Sequence, residues 1–180
     1  MKHLPPLLIM ISLILVLSPV GWAQRSVSDL SAKHAVSLER YLSENKNLKF
    51  RHEQNLDDDY LQSMRETFGK NFKPNYAVAD FNRDKIKDFA VLLYREGKAV
   101  PNRGITSKQH ATDYPLRLVV FNGTKGGFRV AYSKDLQGPD AAFIAFSTRK
   151  LYYGIYETDS DTFILAPSRR GYTMKFQEPH

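Results

Sequence analysis

The sequence predicts an α+β domain in which two N-terminal helices pack on an antiparallel β-meander sheet. Two observations carry the prediction. Helical spacing of apolar residues is concentrated between Ser28 and Gly69. After Pro74 the apolar residues fall in short runs, closely spaced and separated by turn residues.

The first helix is read from Leu30, His34, Leu38 and Tyr41/Leu42, which recur at spacings of three and four. Ser28 can cap its start, and it runs from about 28 to 44, stopping near Asn45-Lys46-Asn47. Leu48–His52 alternates apolar and polar, as a short strand does. In the second helix Asn55 or Asp57 caps the start and Asp58 and Asp59 occupy the first turn. Leu61, Met64 and Phe68 share one face, and Gly69 ends it.

Strands are then expected at Tyr76–Phe81, Phe89–Tyr94, Leu116–Phe121, Phe128–Tyr132, Ala142–Ser147, Leu151–Tyr156, Thr162–Ala166 and Tyr172–Phe176. Asn122-Gly123-Thr124-Lys125-Gly126-Gly127 reads as the turn joining the third to the fourth of these. Glu96–Tyr114 has no clear period and contains Pro101, Asn102 and Gly104, so it is expected to be a long loop. Residues 24–180 form one domain, and no second boundary is visible.

Residues 1–23 are expected to be a cleaved signal peptide. Met1-Lys2-His3 is basic, Leu7–Leu17 is apolar apart from Ser12, and Gly21-Trp22-Ala23 is a small-residue cleavage pattern. The apolar run is short of the roughly 20 residues a membrane span needs, so no span is expected in the mature chain. Cleavage takes one lysine and no acid off the formal +7, leaving +6. The expected location is secreted or periplasmic, in a bacterial setting.

Composition narrows the functional classes. With 42% apolar and 25% charged residues the chain can bury a core, which argues against wholesale disorder. It has no cysteine, which excludes a disulfide scaffold, a thiolate metal site and a cysteine nucleophile. An exported fold without disulfides must rely on packing, or on packing plus an ion. The basic residues are scattered rather than blocked, and export makes a nucleic acid an unsuitable partner.

One segment carries chemistry in its spacing. Asp80, Asn82, Asp84 and Asp88 stand at positions 1, 3, 5 and 9 of a loop between two expected strands. Hard cations such as Ca²⁺ take six to eight oxygen ligands, and alternating loop positions can supply them. This resembles the calcium loop of the FG-GAP and VCBS-type repeats known from integrin α-subunits and secreted bacterial proteins, with the pattern D-x-[DN]-x-D-G-x-x-D. The flanks agree: Tyr76–Ala79 before, Phe89–Leu93 after. The resemblance is local to residues 76–94. It implies a calcium ion held by the side chains of Asp80, Asn82, Asp84 and Asp88 and by the Ile86 carbonyl.

At the position after the third ligand the family has glycine, because the turn there favours φ > 0; this chain has Lys85. Arg83 and Lys87 flank the ligands as well. Two readings therefore stand: a weak calcium site, or a self-capped turn in which Asp and Asn side chains bond backbone N–H groups. An EF-hand would need Glu at position 12, which is Val91. A β-propeller would need the loop repeated, and it occurs once.

The remaining chemical residues have structural readings. His34 lies on the apolar side of the first helix, and His110 in the long loop is a poor general-base candidate. Tyr152, Tyr153, Tyr156 and Tyr172 suit sheet packing before a glycan platform. No G-x-S-x-G, H-E-x-x-H or phosphate-binding glycine loop occurs. The expectation is an exported non-enzymatic protein that contacts an envelope or extracellular protein or glycan. The alternatives are an envelope-polymer hydrolase using paired carboxylates such as Asp58, Asp159 or Asp161, and an inhibitor presenting the loop Glu96–Tyr114.

Overall fold

The computed structural model describes residues 30–50, 58–95, 97, 100–101, 112–138, 142–155, 162–169 and 171–177. Helices α1 (Ala32–Glu44) and α2 (Asp58–Phe68) accompany ten strands. These are β1 (Leu48–Phe50), β2 (Tyr76–Ala79), β3 (Asp88–Arg95), β4 (Val100–Pro101) and β5 (Thr112–Thr124). The others are β6 (Gly127–Gly138), β7 (Ala142–Ser147), β8 (Lys150–Ile155), β9 (Phe163–Ser168) and β10 (Gly171–Phe176).

The α+β arrangement of two helices on one meander is overturned: the described chain is mostly strand, in two antiparallel sheets, and each helix covers a different one. In the first sheet β3 is flanked by β5 on one side and by β1 and β2, end to end, on the other. β5 also pairs β4 through its first two residues and β6 along its length. The second sheet is the meander β7-β8-β9-β10.

Side-chain parity explains why one sheet does not suffice. In β3, Phe89, Val91 and Leu93 face α1, whereas Ala90 and Leu92 face the second sheet. All five are buried, so β3 needs a layer on each side and reads as an unbroken apolar run. The same holds for β7, where Phe143 and Ala145 meet α2 while Ala142 and Ile144 turn to the first sheet. The layers are therefore α1, first sheet, second sheet, α2. The carbonyls of Pro74 and Asn75 accept from Ile144 N and Leu92 N at 2.8 and 3.0 Å, stitching the chain entering β2 to both sheets.

Three further differences from the sequence reading concern boundaries. α1 is capped by Ser31, whose Oγ accepts the His34 N–H at 3.4 Å. β5 runs through Asn122-Gly123 to Thr124, so the turn sits at Lys125-Gly126. β4 pairs with Thr112-Asp113, which draws both ends of the expected 96–114 loop into the first sheet. Residues 102–111, with His110, lie outside the described residues. So do the expected signal peptide 1–23, the second helix's expected caps, Tyr156, Asp159 and Asp161. Among the described residues no helix is long and apolar enough to cross a membrane.

Candidate functional site

The β2–β3 loop is closed by its own side chains. Asp80 Oδ1 and Oδ2 accept the N–H groups of Asp84 and Lys85 at 3.0 and 2.9 Å. Asn82 Oδ1 accepts the Asp84 N–H at 2.9 Å, and Asp84 Oδ1 accepts the Ile86 N–H at 2.8 Å. Asn82 Nδ2 donates to Asp84 Oδ2 at 2.9 Å. Such bonds let Asp and Asn stand in for backbone turns. Arg83 and Lys85 take left-handed conformations, φ 65° and 71°, a strain of about 1–3 kcal/mol each that the surrounding bonds must hold. Lys85 thus adopts the backbone shape for which the resembling repeats use glycine.

The three cations of the loop point outward. Arg83, Lys85 and Lys87 are exposed, and none forms an ion pair with a loop carboxylate among the described residues. Phe81 turns inward, buried against Phe146 with ring centroids 5.4 Å apart, and anchors the loop in the core between the sheets.

Asp88 has a different role from the other three. It is fully buried. Its Oδ2 accepts the N–H groups of Phe81 and Asn82 at 2.8 and 3.2 Å, and its Oδ1 accepts that of Gly123 at 2.9 Å. Burial pushes its carboxyl above the ordinary Asp value, against the opposing pull of the three N–H groups. The carboxylate thereby clasps the loop to the end of β5.

Sequence reasoning placed Asp80, Asn82, Asp84 and Asp88 in one loop, and the structure keeps them there with Ile86 exposed at its rim. Among the described residues no three carboxylate or imidazole groups converge as a metal-holding cluster. An ion at this loop would be held by the free lone pairs of Asp80, Asn82 and Asp84, the Ile86 carbonyl and water, with Asp88 positioning the loop from beneath. Other candidates are structural. His34 is buried, stacked on Phe89 at 4.5 Å and hydrogen-bonded to the Tyr76 hydroxyl. Tyr153 and Tyr172 belong to the core between the sheets, and Asp58 is exposed at the start of α2.

Sequence reasoning missed the cleft beside the loop. It has a volume of about 470 Å³ and forms where the loop, β5, β6 and the β9–β10 turn converge. Asn82, Asp84 and Asn122 line it together with Arg129 and Arg169. Asn122 is buried, and its Oδ1 accepts the Tyr172 hydroxyl at 2.8 Å, bridging the two sheets beneath the cleft. The Tyr172 hydroxyl is held well above the ordinary tyrosine range, first by burial and then by the carboxylates of Asp88, Asp84 and Asp80. No pairwise sequence spacing joins residues 82, 122, 129 and 169; only the sheet register does.

No family model matches the chain, and no curated protein or solved structure matches it at a significant level.

Proposed function

We propose that the chain is an exported, non-enzymatic binding protein whose β2–β3 loop is a calcium-type loop used structurally. The observation that carries the reading is the run of side-chain bonds from Asp80, Asn82 and Asp84 to the backbone two to five residues on, with Lys85 in the left-handed turn. A loop already closed in this way has little conformational entropy left to lose when an ion binds. The exposed Arg83, Lys85 and Lys87 lower the local attraction for a divalent cation, so the expected affinity is in the weak, millimolar class of extracellular modules. The ion stiffens a turn that anchors both sheets, and the partner is an envelope or extracellular protein or glycan.

Thermal melting of residues 24–180 during a calcium titration tests this. A melting temperature that rises and saturates at millimolar Ca²⁺, with no rise in Asp84→Ala, supports it. Lys85→Gly, which removes a charge and suits the positive φ, should move the response to lower Ca²⁺. An unchanged melting temperature removes the ion and leaves the loop a self-capped turn.

A further inference from the structure

We propose that the cleft beside the β2–β3 loop binds an acidic sugar unit, a hydroxylated ring bearing one carboxylate. This rests on the reading of the chain as a binding protein and is independent of calcium. The lining is divided chemically. Arg129 and Arg169 are both exposed, and neither has a hydrogen bond or ion pair among the described residues. A guanidinium offers a planar fork of donors that matches a carboxylate. Asn122 adds an amide NH₂ that has no acceptor among the described residues, because its hydrogen bond to Tyr172 is made through Oδ1. That side chain is 9% exposed, and its amide nitrogen keeps access to the solvent of the cleft, where a ligand acceptor can replace a water.

Asp84 and Asn82 bring acceptors to the same cleft. A ligand must therefore bring an anion for the arginines and also donors for Asp84. A phosphate brings the charge, but at neutral pH has few protons to give, and it would approach the carboxylates of the loop. Asp84 already accepts from Ile86 and from Asn82, so its spare lone pairs suit a neutral hydroxyl. Ala131 and Pro167 supply apolar surface to the same cleft, against which the C–H face of a sugar ring can lie. A volume of about 470 Å³ lies within the ordinary range of small-molecule sites.

The test titrates trigalacturonate into isotope-labelled protein, residues 24–180, and follows backbone amide shifts in the presence of EDTA. EDTA keeps Ca²⁺ from bridging uronates to the loop, so failure here is separable from failure of the calcium melting experiment. The expected result is saturable shifts at Asn122, Arg129, Val130 and Arg169. The affinity should fall roughly tenfold or more in the double variant Arg129→Ala/Arg169→Ala, with an unchanged melting temperature because both side chains are exposed. The methyl ester of trigalacturonate should bind as weakly as that variant does. Equal binding of acid and ester overturns the proposal, as do shifts elsewhere than the cleft, or tighter binding of inorganic phosphate or free glutamate.

Discussion

Gly123 N donates to Asp88 Oδ1 at 2.9 Å across 35 residues of chain, and this single bond ties the β2–β3 loop to the far end of β5. The same carboxylate accepts from Phe81 and Asn82, so one buried side chain satisfies three backbone donors. Its removal leaves those donors without their acceptor, and the bonds from Phe81 and Gly123 are buried.

Asp88→Ala is accordingly expected to cost about 3–5 kcal/mol, the range for leaving several buried polar groups unpaired. Asp88→Asn keeps one acceptor oxygen and should cost less. Urea unfolding followed by circular dichroism gives both values, and a wild-type midpoint for Asp88→Ala would contradict the clasp.

Gly123 is also needed for space. A Cβ there would lie 2.3 Å from the Lys87 carbonyl oxygen and 2.6 Å from Ile86 Cγ2. Backbone cannot yield as a side chain does, so Gly123→Ala should destabilise by about 2 kcal/mol or more. Gly126→Ala, three residues on, meets nothing within 4 Å and serves as the comparison. Similar melting temperatures for the two variants would show that the loop does not press on β5.

Tyr172→Phe removes the hydroxyl that crosses between the sheets and leaves the buried Asn122 Oδ1 without its donor. A loss of about 1–2 kcal/mol is expected. Chemical denaturation of this variant beside Tyr152→Phe, whose hydroxyl bonds the exposed Thr148, separates a bridge from a surface contact.

The stability should fall in mild acid because of His34. Burial holds its pKa below the ordinary 6.5, so the folded chain favours the neutral ring. Above 6.5 both folded and unfolded states are neutral and the contribution is complete. As pH falls below 6.5 the unfolded state takes the proton first, and stability declines until the folded pKa is passed. The slope cannot exceed about 1.4 kcal/mol per pH unit for one proton. Denaturation midpoints at about pH 7.5 and about pH 5.5 should differ in the native chain and converge in His34→Phe.

Much of the secondary structure was legible because alternation and spacing are local. The body of α1 up to Asn45, the Gly69 stop and the strands after Pro74 all announce themselves within a few residues, whereas the α1 cap lies at Ser31 rather than at the expected Ser28. The division into two sheets was legible too, though in a less obvious signal. Phe89–Leu93 and Ala142–Phe146 are unbroken apolar runs, and an antiparallel strand of that kind has no solvent face. Read as members of a single meander, they would leave one set of side chains exposed. Asn122-Gly123 resembled a hairpin turn, yet its glycine answers to the close approach of Lys87 and Ile86, a contact no neighbouring residue reveals.

The site divides in the same way. Asp80, Asn82 and Asp84 act on backbone within five residues of themselves, so their spacing carried the information. Asp88 shares that spacing, but its third bond depends on where β5 ends. Arg129 and Arg169 line one cleft only because β6 and the β9–β10 turn come together at one margin of the two sheets. A bulge contributes to this meeting: Val120 faces Tyr132 while Phe121 faces Val130, which leaves Ala131 as the extra residue. Its carbonyl oxygen would stand 2.6 Å from a Cβ on Gly171, whose φ is +115°, so glycine is required there for two reasons.

The connectivity of the two sheets has a consequence for the order in which the protein assembles. The second sheet joins only consecutive strands, from Ala142 to Phe176, and each hairpin closes a short loop. The first sheet must bring Leu48 to Arg95 and Asp88 to Gly123 before its central strand is flanked on both sides. Loop-closure entropy rises with the length enclosed, and long-range pairing slows folding. The C-terminal meander should therefore gain amide protection ahead of β1 and of the β3–β5 pairing in pulsed hydrogen exchange, with the Asp88 clasp locking last. The folding chain would then pass through a stage in which the apolar face of the meander waits uncovered for its partner sheet.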